Sequence, residues 1–224
     1  MKYLIALTVF VFAFTHRAQA TDCEGYIVKS NGDSVKGVVD VIYKKALIGK
    51  KEIDFGEMEA GIKFTEKDGR SQKIKAGGVN GYGFNSEGSW HHFEILDMQK
   101  NSGKKAPKFL RKAFNNFTFF VERVCDGILP VYKDHMKYGS DADSGPNGLG
   151  FKEVAGYDLY VKNSDGVFVE ITSPMPGSNK KFKDFLEQYL KLEAAFLSTV
   201  DDKAKFSDAE EILRSYNYWK KKNS

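Results

Sequence analysis

The stretch Trp90-His91-His92-Phe93-Glu94 puts two imidazoles beside a carboxylate, side chains that bind metals and move protons. In a strand, successive side chains point to opposite faces. His91 then joins Phe93 and Ile95 on one face, and His92 joins Trp90, Glu94 and Leu96 on the other. Rings so divided cannot chelate one ion together. Beyond the first twenty residues the only other histidine is His135, and neither HExxH nor a paired CxxC occurs. The expectation is an aromatic strand with one half-buried and one solvated histidine, and no metal centre.

Residues 139–150, GSDADSGPNGLG, are the other concentration of possible ligands. A calcium loop of the EF-hand type needs oxygens at positions 1, 3 and 5, glycine at 6 and glutamate at 12. Asp141 and Asp143 fit the first two, but Gly145, Pro146 and Lys152 occupy the others. The segment reads as a long polar connection that holds no specific ion. AGGVNGYGF (76–84) is rich in glycine but lies between strands. A phosphate cradle needs a helix N-terminus behind it, so a bulge or bend is expected here. Ser144 lacks the glycines of a nucleophile elbow, with Ala142 and Pro146 in their places. Glu57 and Glu59 could serve as general acid and base, yet any chain with 30 acidic residues contains such pairs. No catalytic residue is assigned, and no cofactor is expected.

These side chains sit in a chain with an address. Residues 1–20, MKYLIALTVFVFAFTHRAQA, run from Lys2 through an apolar segment to Ala18-Gln19-Ala20, the pattern of a cleaved signal peptide. The apolar run is too short to span a bilayer of about 30 Å, and no later stretch is as apolar, so no transmembrane segment is expected after cleavage. Formal net charge is +4, and loss of Lys2 and Arg17 lowers it by two, which argues against nucleic acid as a partner. An unknown envelope protein or a small ligand is the expected partner. Location is periplasmic, outer-membrane-associated or extracellular.

Two cysteines, Cys23 and Cys125, lie beyond that segment. In an oxidising compartment a lone pair is expected to join. Such a bridge would close a loop of about a hundred residues and contribute at most roughly 4–5 kcal/mol. Two buried thiols are the alternative.

Four turn signals, Asn31-Gly32, Asp68-Gly69, Asp126-Gly127 and Asp165-Gly166, each separate strand-like runs. Asx-Gly suits tight hairpins in which both central residues adopt positive φ. With GYGF (81–84) and WHHFEILDM (90–98), roughly ten short strands result. After Pro176 the apolar period becomes helical, predicting helices over about 179–200 and 207–220. Ser207 and Glu210 are placed to form a capping box for the second. Neither helix is stable alone at this length, so both must cover the sheet. The predicted fold is one α+β domain over 21–224. It is an antiparallel β-rich meander, sandwich or partly closed barrel, with two C-terminal helices packed on the sheet.

GYIVKSNGDSVKGVV at the start of this region resembles the opening hairpin of secreted Bacteroidetes proteins of unknown function. Asp126-Gly127 followed by Tyr132, and the closing Tyr216-Asn217-Tyr218-Trp219, fit the same resemblance. It implies an envelope location and this fold, and it carries no catalytic residue across.

The absence of a catalytic constellation, beside 18 Phe, 11 Tyr and 2 Trp, favours an exported binding or interaction module. The rivals are a hydrolase whose site forms only in the fold and a barrel carrying a lipid-like ligand. Exported protein is expected to begin at Thr21. N-terminal sequencing checks this, and a mature chain retaining Tyr3 to Phe14 would refute it.

Overall fold

The computed structural model describes residues 19–45, 51–97, 118–135, 158–163, 166–171 and 182–223. Their strands are built largely from hairpins closed in one way. In the first, Gly32 N–H donates to Lys29 O, Lys29 N–H donates to Asp33 O, and Gly32 alone has positive φ (91°). The same pair of bonds closes 66–70 with Gly69 and 163–167 with Gly166. Each is a three-residue loop ending in a left-handed glycine. Asn31 and Asp68 do not adopt positive φ as expected. Their side chains instead accept the N–H of Asp33 and Arg70, both at 3.0 Å.

Eleven strands result: β1 (Gln19–Val28), β2 (Ser34–Lys45), β3 (Lys51–Ile53), β4 (Ile62–Glu66), β5 (Ser71–Ile74), β6 (Gly81–Ser86), β7 (Ser89–Asp97), β8 (Thr118–Cys125), β9 (Val131–Asp134), β10 (Asp158–Lys162) and β11 (Phe168–Ile171). All pairings are antiparallel, in the order β11-β10-β9-β8-β7-β6-β1-β2-β4-β5. The long β2 pairs along one edge with β4 at Gly37–Val39 and with β3 at Tyr43–Lys45. The fold is thus an α+β, β-rich meander whose sheet stays open, ending at β5 and β11.

One face of the sheet, here the inner face, carries two apolar clusters. Phe64, Tyr82, Phe84, Phe93 and Phe120 form the first, around Met58 of a short helix α1 (Phe55–Ala60). This helix touches both β2 and β8, which lie four places apart in the sheet, so the sheet curls around it. Its six residues are too few to show a helical period. Asp54 caps it by accepting the Glu57 N–H.

Val131, Leu159, Val161 and Ile171 form the second cluster, under the C-terminal helices α2 (Phe182–Gln188), α3 (Ala194–Leu197) and α4 (Ala209–Asn223). The helix expected over 179–200 is therefore two helices. The chain breaks where Lys191 takes φ 53°, leaving Tyr189 at the surface and turning Leu192, Phe196 and Leu197 into the core. The start of α4 also differs from expectation. A 3-10 turn, Phe206–Asp208, precedes it, and Asp208 accepts the Lys205 N–H at 2.8 Å. Glu210 is drawn instead to Lys133 of β9 (2.7 Å) and Arg214 (2.9 Å), tying helix to sheet.

Asn217 makes a second tie. Its amide accepts the Leu129 N–H (3.0 Å) and donates to the Leu129 carbonyl (2.8 Å). Gly127, at φ 148°, lies beneath it, where a Cβ would come within 2.3 Å of the amide carbon. The Asp-Gly turn and the Tyr-Asn helix are thus one contact.

The expected Cys23–Cys125 bridge is not formed, and both thiols are free. Cys23 lies in β1 and Cys125 at the end of β8, with β6 and β7 between them. Three strand spacings amount to roughly 14 Å along the sheet, against a Cα separation below about 7 Å in a disulfide. Cys23 faces the first inner cluster and Cys125 the second.

Leu213 is fully buried between α4 and the sheet. Leu213→Ala is expected to cost about 2–5 kcal/mol, read from urea unfolding. Tyr218→Ala, at a residue 70 % exposed on the same helix, is expected to leave the midpoint unchanged.

Candidate functional site

Strand β7 divides its histidines as the alternation requires. His91 turns inward, where its Nδ1–H donates to Glu122 Oε1 at 2.7 Å. The other oxygen accepts from His135 Nε2–H at 2.9 Å. Phe55 packs against both rings, 5.4 Å from His91 and 4.6 Å from His135 between centroids. The His135 backbone N–H donates to both oxygens of Glu59, which is fully buried on α1. Burial alone would raise the Glu122 pKa. The hydrogen bonds and charges of His135 and His91 outweigh it and hold this carboxyl at about 2. It is a permanent anion clamped beneath a phenyl ring.

This inner cluster joins β7, β8, β9 and α1. Among the described residues no group of three His, Cys, Asp or Glu side chains is arranged to hold a metal ion. The Glu57–Glu59 pair does not converge either, since Glu57 is exposed and Glu59 buried. Asp141, Asp143 and Ser144 lie outside the described residues.

The opposite, outer face holds an open cleft of about 670 Å³. Its floor follows from β6, whose Tyr82 and Phe84 fill the inner core while Gly81 lines the cleft on the other side and Gly83 lies under the Tyr26 ring. A Cβ on Gly83 would fall 2.7 Å from the Tyr26 ring, and one on Gly81 would meet the Phe93 carbonyl at 2.4 Å. Walls rise from the neighbouring strands. On one side, Tyr26 of β1 places its hydroxyl 2.7 Å from His92 Nδ1. On the other, Glu94 of β7 accepts from Arg123 of β8 (3.1 Å) and Lys162 of β10 (2.7 Å). Lys162 also lies 5.2 Å from the centre of the Phe168 ring.

The protonation states follow from these positions. Burial, and then the Arg123 charge, lower the His92 pKa and keep the ring neutral at pH 7. Burial likewise raises the Tyr26 pKa, against the opposing pull of Arg123. The cleft therefore offers a neutral tyrosine–histidine pair and, beside it, an anion shared by two cations. Such a surface can donate and accept hydrogen bonds without carrying a strong net charge.

Of the sequence candidates, His92 lines the cleft, and so do Gly77, Asn80 and Gly81 of the glycine-rich stretch 76–84. Glu94, which the alternation places on the His92 face, lines it too; Tyr26, Arg123 and Lys162 carry no such signal, although the alternation in FTFFVERVC separates Glu122 from Arg123. In GYGF, likewise, the glycines occupy every second position and leave one face of a strand without side chains. No protein-family model, no curated protein and no solved structure matches the chain.

The Glu122 shift has a direction in pH. Its folded pKa, about 2, lies below the ordinary value of 4.5. The stability it contributes is therefore complete above about pH 4.5 and is lost as pH falls towards 2, on the order of 3 kcal/mol. Urea midpoints measured down this range should fall in the wild type. In Glu122→Gln, stability should be lower at pH 7 and this acid-dependent part of the loss should vanish.

Proposed function

We propose that the chain is an exported module of the cell envelope that binds a small polar ligand in the outer-face cleft. The observation that carries this reading is an open cleft with Gly81 in its floor and polar walls supplied by β1, β7, β8 and β10. Concave sites of about 300–1,000 Å³ with a few convergent polar groups are where small ligands bind. The volume here falls inside that range.

The charged walls speak for a polar ligand rather than the lipid-like cargo of a closed barrel. The inner histidine cluster speaks for structure rather than hydrolysis, because Phe55 packs on both rings and Glu122 is held by two donors. Export rests on the pattern of residues 1–20 and on the resemblance to secreted Bacteroidetes proteins. Cleavage after Ala20 would remove only the first two residues of β1 and leave its pairing from Thr21 to Val28 intact. No helix among the described residues is long and apolar enough to cross a membrane.

An NMR screen of 15N-labelled chain (residues 21–224) against polar metabolites tests the reading. Saturable shifts should centre on the amides of Gly81, His92 and Glu94. Arg123→Gln, which removes a charged donor, should weaken binding roughly ten- to a hundredfold. Shifts confined to other surfaces, or none at all, would reject the cleft as a binding site.

A further inference from the structure

The cleft has a second component at its rim. Trp90 is 45 % exposed on the same face as His92. Its ring lies parallel to His92 (centroids 6.0 Å, planes 10° apart) and 5.9 Å from Tyr26. Beyond them along β7 stands Glu94 with its two cations. Aromatic faces and paired charges thus follow one another along a single line.

Resting on the binding reading above, we infer that the ligand is a neutral oligosaccharide. It stacks one sugar ring on the Trp90 edge of the cleft and hydrogen-bonds the next across Arg123, Glu94 and Lys162. The alternatives fail on this chemistry. An anion such as a phosphate needs uncompensated positive charge, but Lys162 is engaged by Glu94, and Arg123 by both Glu94 and Asp126 (3.0 Å). A hydrocarbon would strip water from three charged groups and return nothing. An extended peptide adding to a sheet needs an open edge. Strands β6 and β7 are both paired on either side.

Sugar hydroxyls meet none of these objections. One hydroxyl can donate to Glu94 while its neighbour accepts from Arg123 or Lys162, so the ion pairs persist in the complex. The apolar C–H face of a pyranose matches an exposed indole, a large rigid surface whose burial costs little entropy. From Trp90 to Glu94 the strand rises roughly 13 Å. One ring is shorter than that, so the ligand has at least two linked units.

Titrating 15N-labelled chain with chito-, manno- and malto-oligosaccharides tests this, with glycerol phosphate and tripeptides in parallel. The Trp90 indole N–H signal, assigned by its loss in Trp90→Phe, is the readout. At least one oligosaccharide should shift it saturably, more tightly than its monosaccharide. Trp90→Ala and Glu94→Gln should each weaken binding about tenfold or more, with Tyr218→Ala unchanged. Saturation by the phosphate or a peptide with no response to any sugar would overturn the carbohydrate inference and leave the binding reading standing. Sugar binding unaffected by Trp90→Ala would overturn it as well. Silence from all three classes would overturn both.

Discussion

Neighbouring residues of β8, Glu122 and Arg123, sit on opposite faces of the sheet, and each face is organised around one of them. Inside, Glu122 is a buried charge, which is tolerated only when its oxygens are satisfied. His91 and His135 satisfy them, and in doing so fix how β7, β8 and β9 align. Outside, Arg123 positions Glu94. A slip of one residue in register would exchange the two, placing a guanidinium in the aromatic core and the carboxylate among acidic neighbours. Core and cleft are therefore set by a single alignment.

Helix α1 carries the same alignment across the curl. Glu59 receives the backbone N–H of His135, Tyr82 donates its hydroxyl to the Met58 carbonyl at 2.8 Å, and Phe55 packs on the two histidines. A six-residue helix has no stability of its own. These contacts supply it, and in return the helix brings distant strands together. The first four residues of β6 express the division most sharply, with Tyr82 and Phe84 on one side and Gly81 and Gly83 on the other.

Much of this was legible in the residues. Glycines in the Asx-Gly pairs marked the hairpins, because only glycine accepts the left-handed position cheaply. Alternation in WHHFEI correctly parted His91 from His92. The apolar period of α4 correctly predicted Leu213 and Tyr216 in the core. Other features depend on partners far away in sequence. Nothing local says that β6 lies beside β1, which is what brings Tyr26 over Gly83. Counting cysteines says nothing of how many strands lie between them. The capping role expected of Glu210 failed because Lys133, on a strand remote in sequence, competes for the same carboxylate. The cleft draws on six strands, and no window of sequence contains it.

Among the described residues the path of the open sheet ends at β5 and β11, and an edge strand is a template on which another chain could polymerise. Here the composition of those edges acts against it. β5 exposes Ser71, Gln72 and Lys73 in succession, and β11 is four residues long with Glu170 exposed in its middle. Edge-to-edge stacking of two copies would have to bury a lysine or a carboxylate at the seam. Resistance to such pairing is thus assigned to a few side chains that serve neither the core nor the cleft.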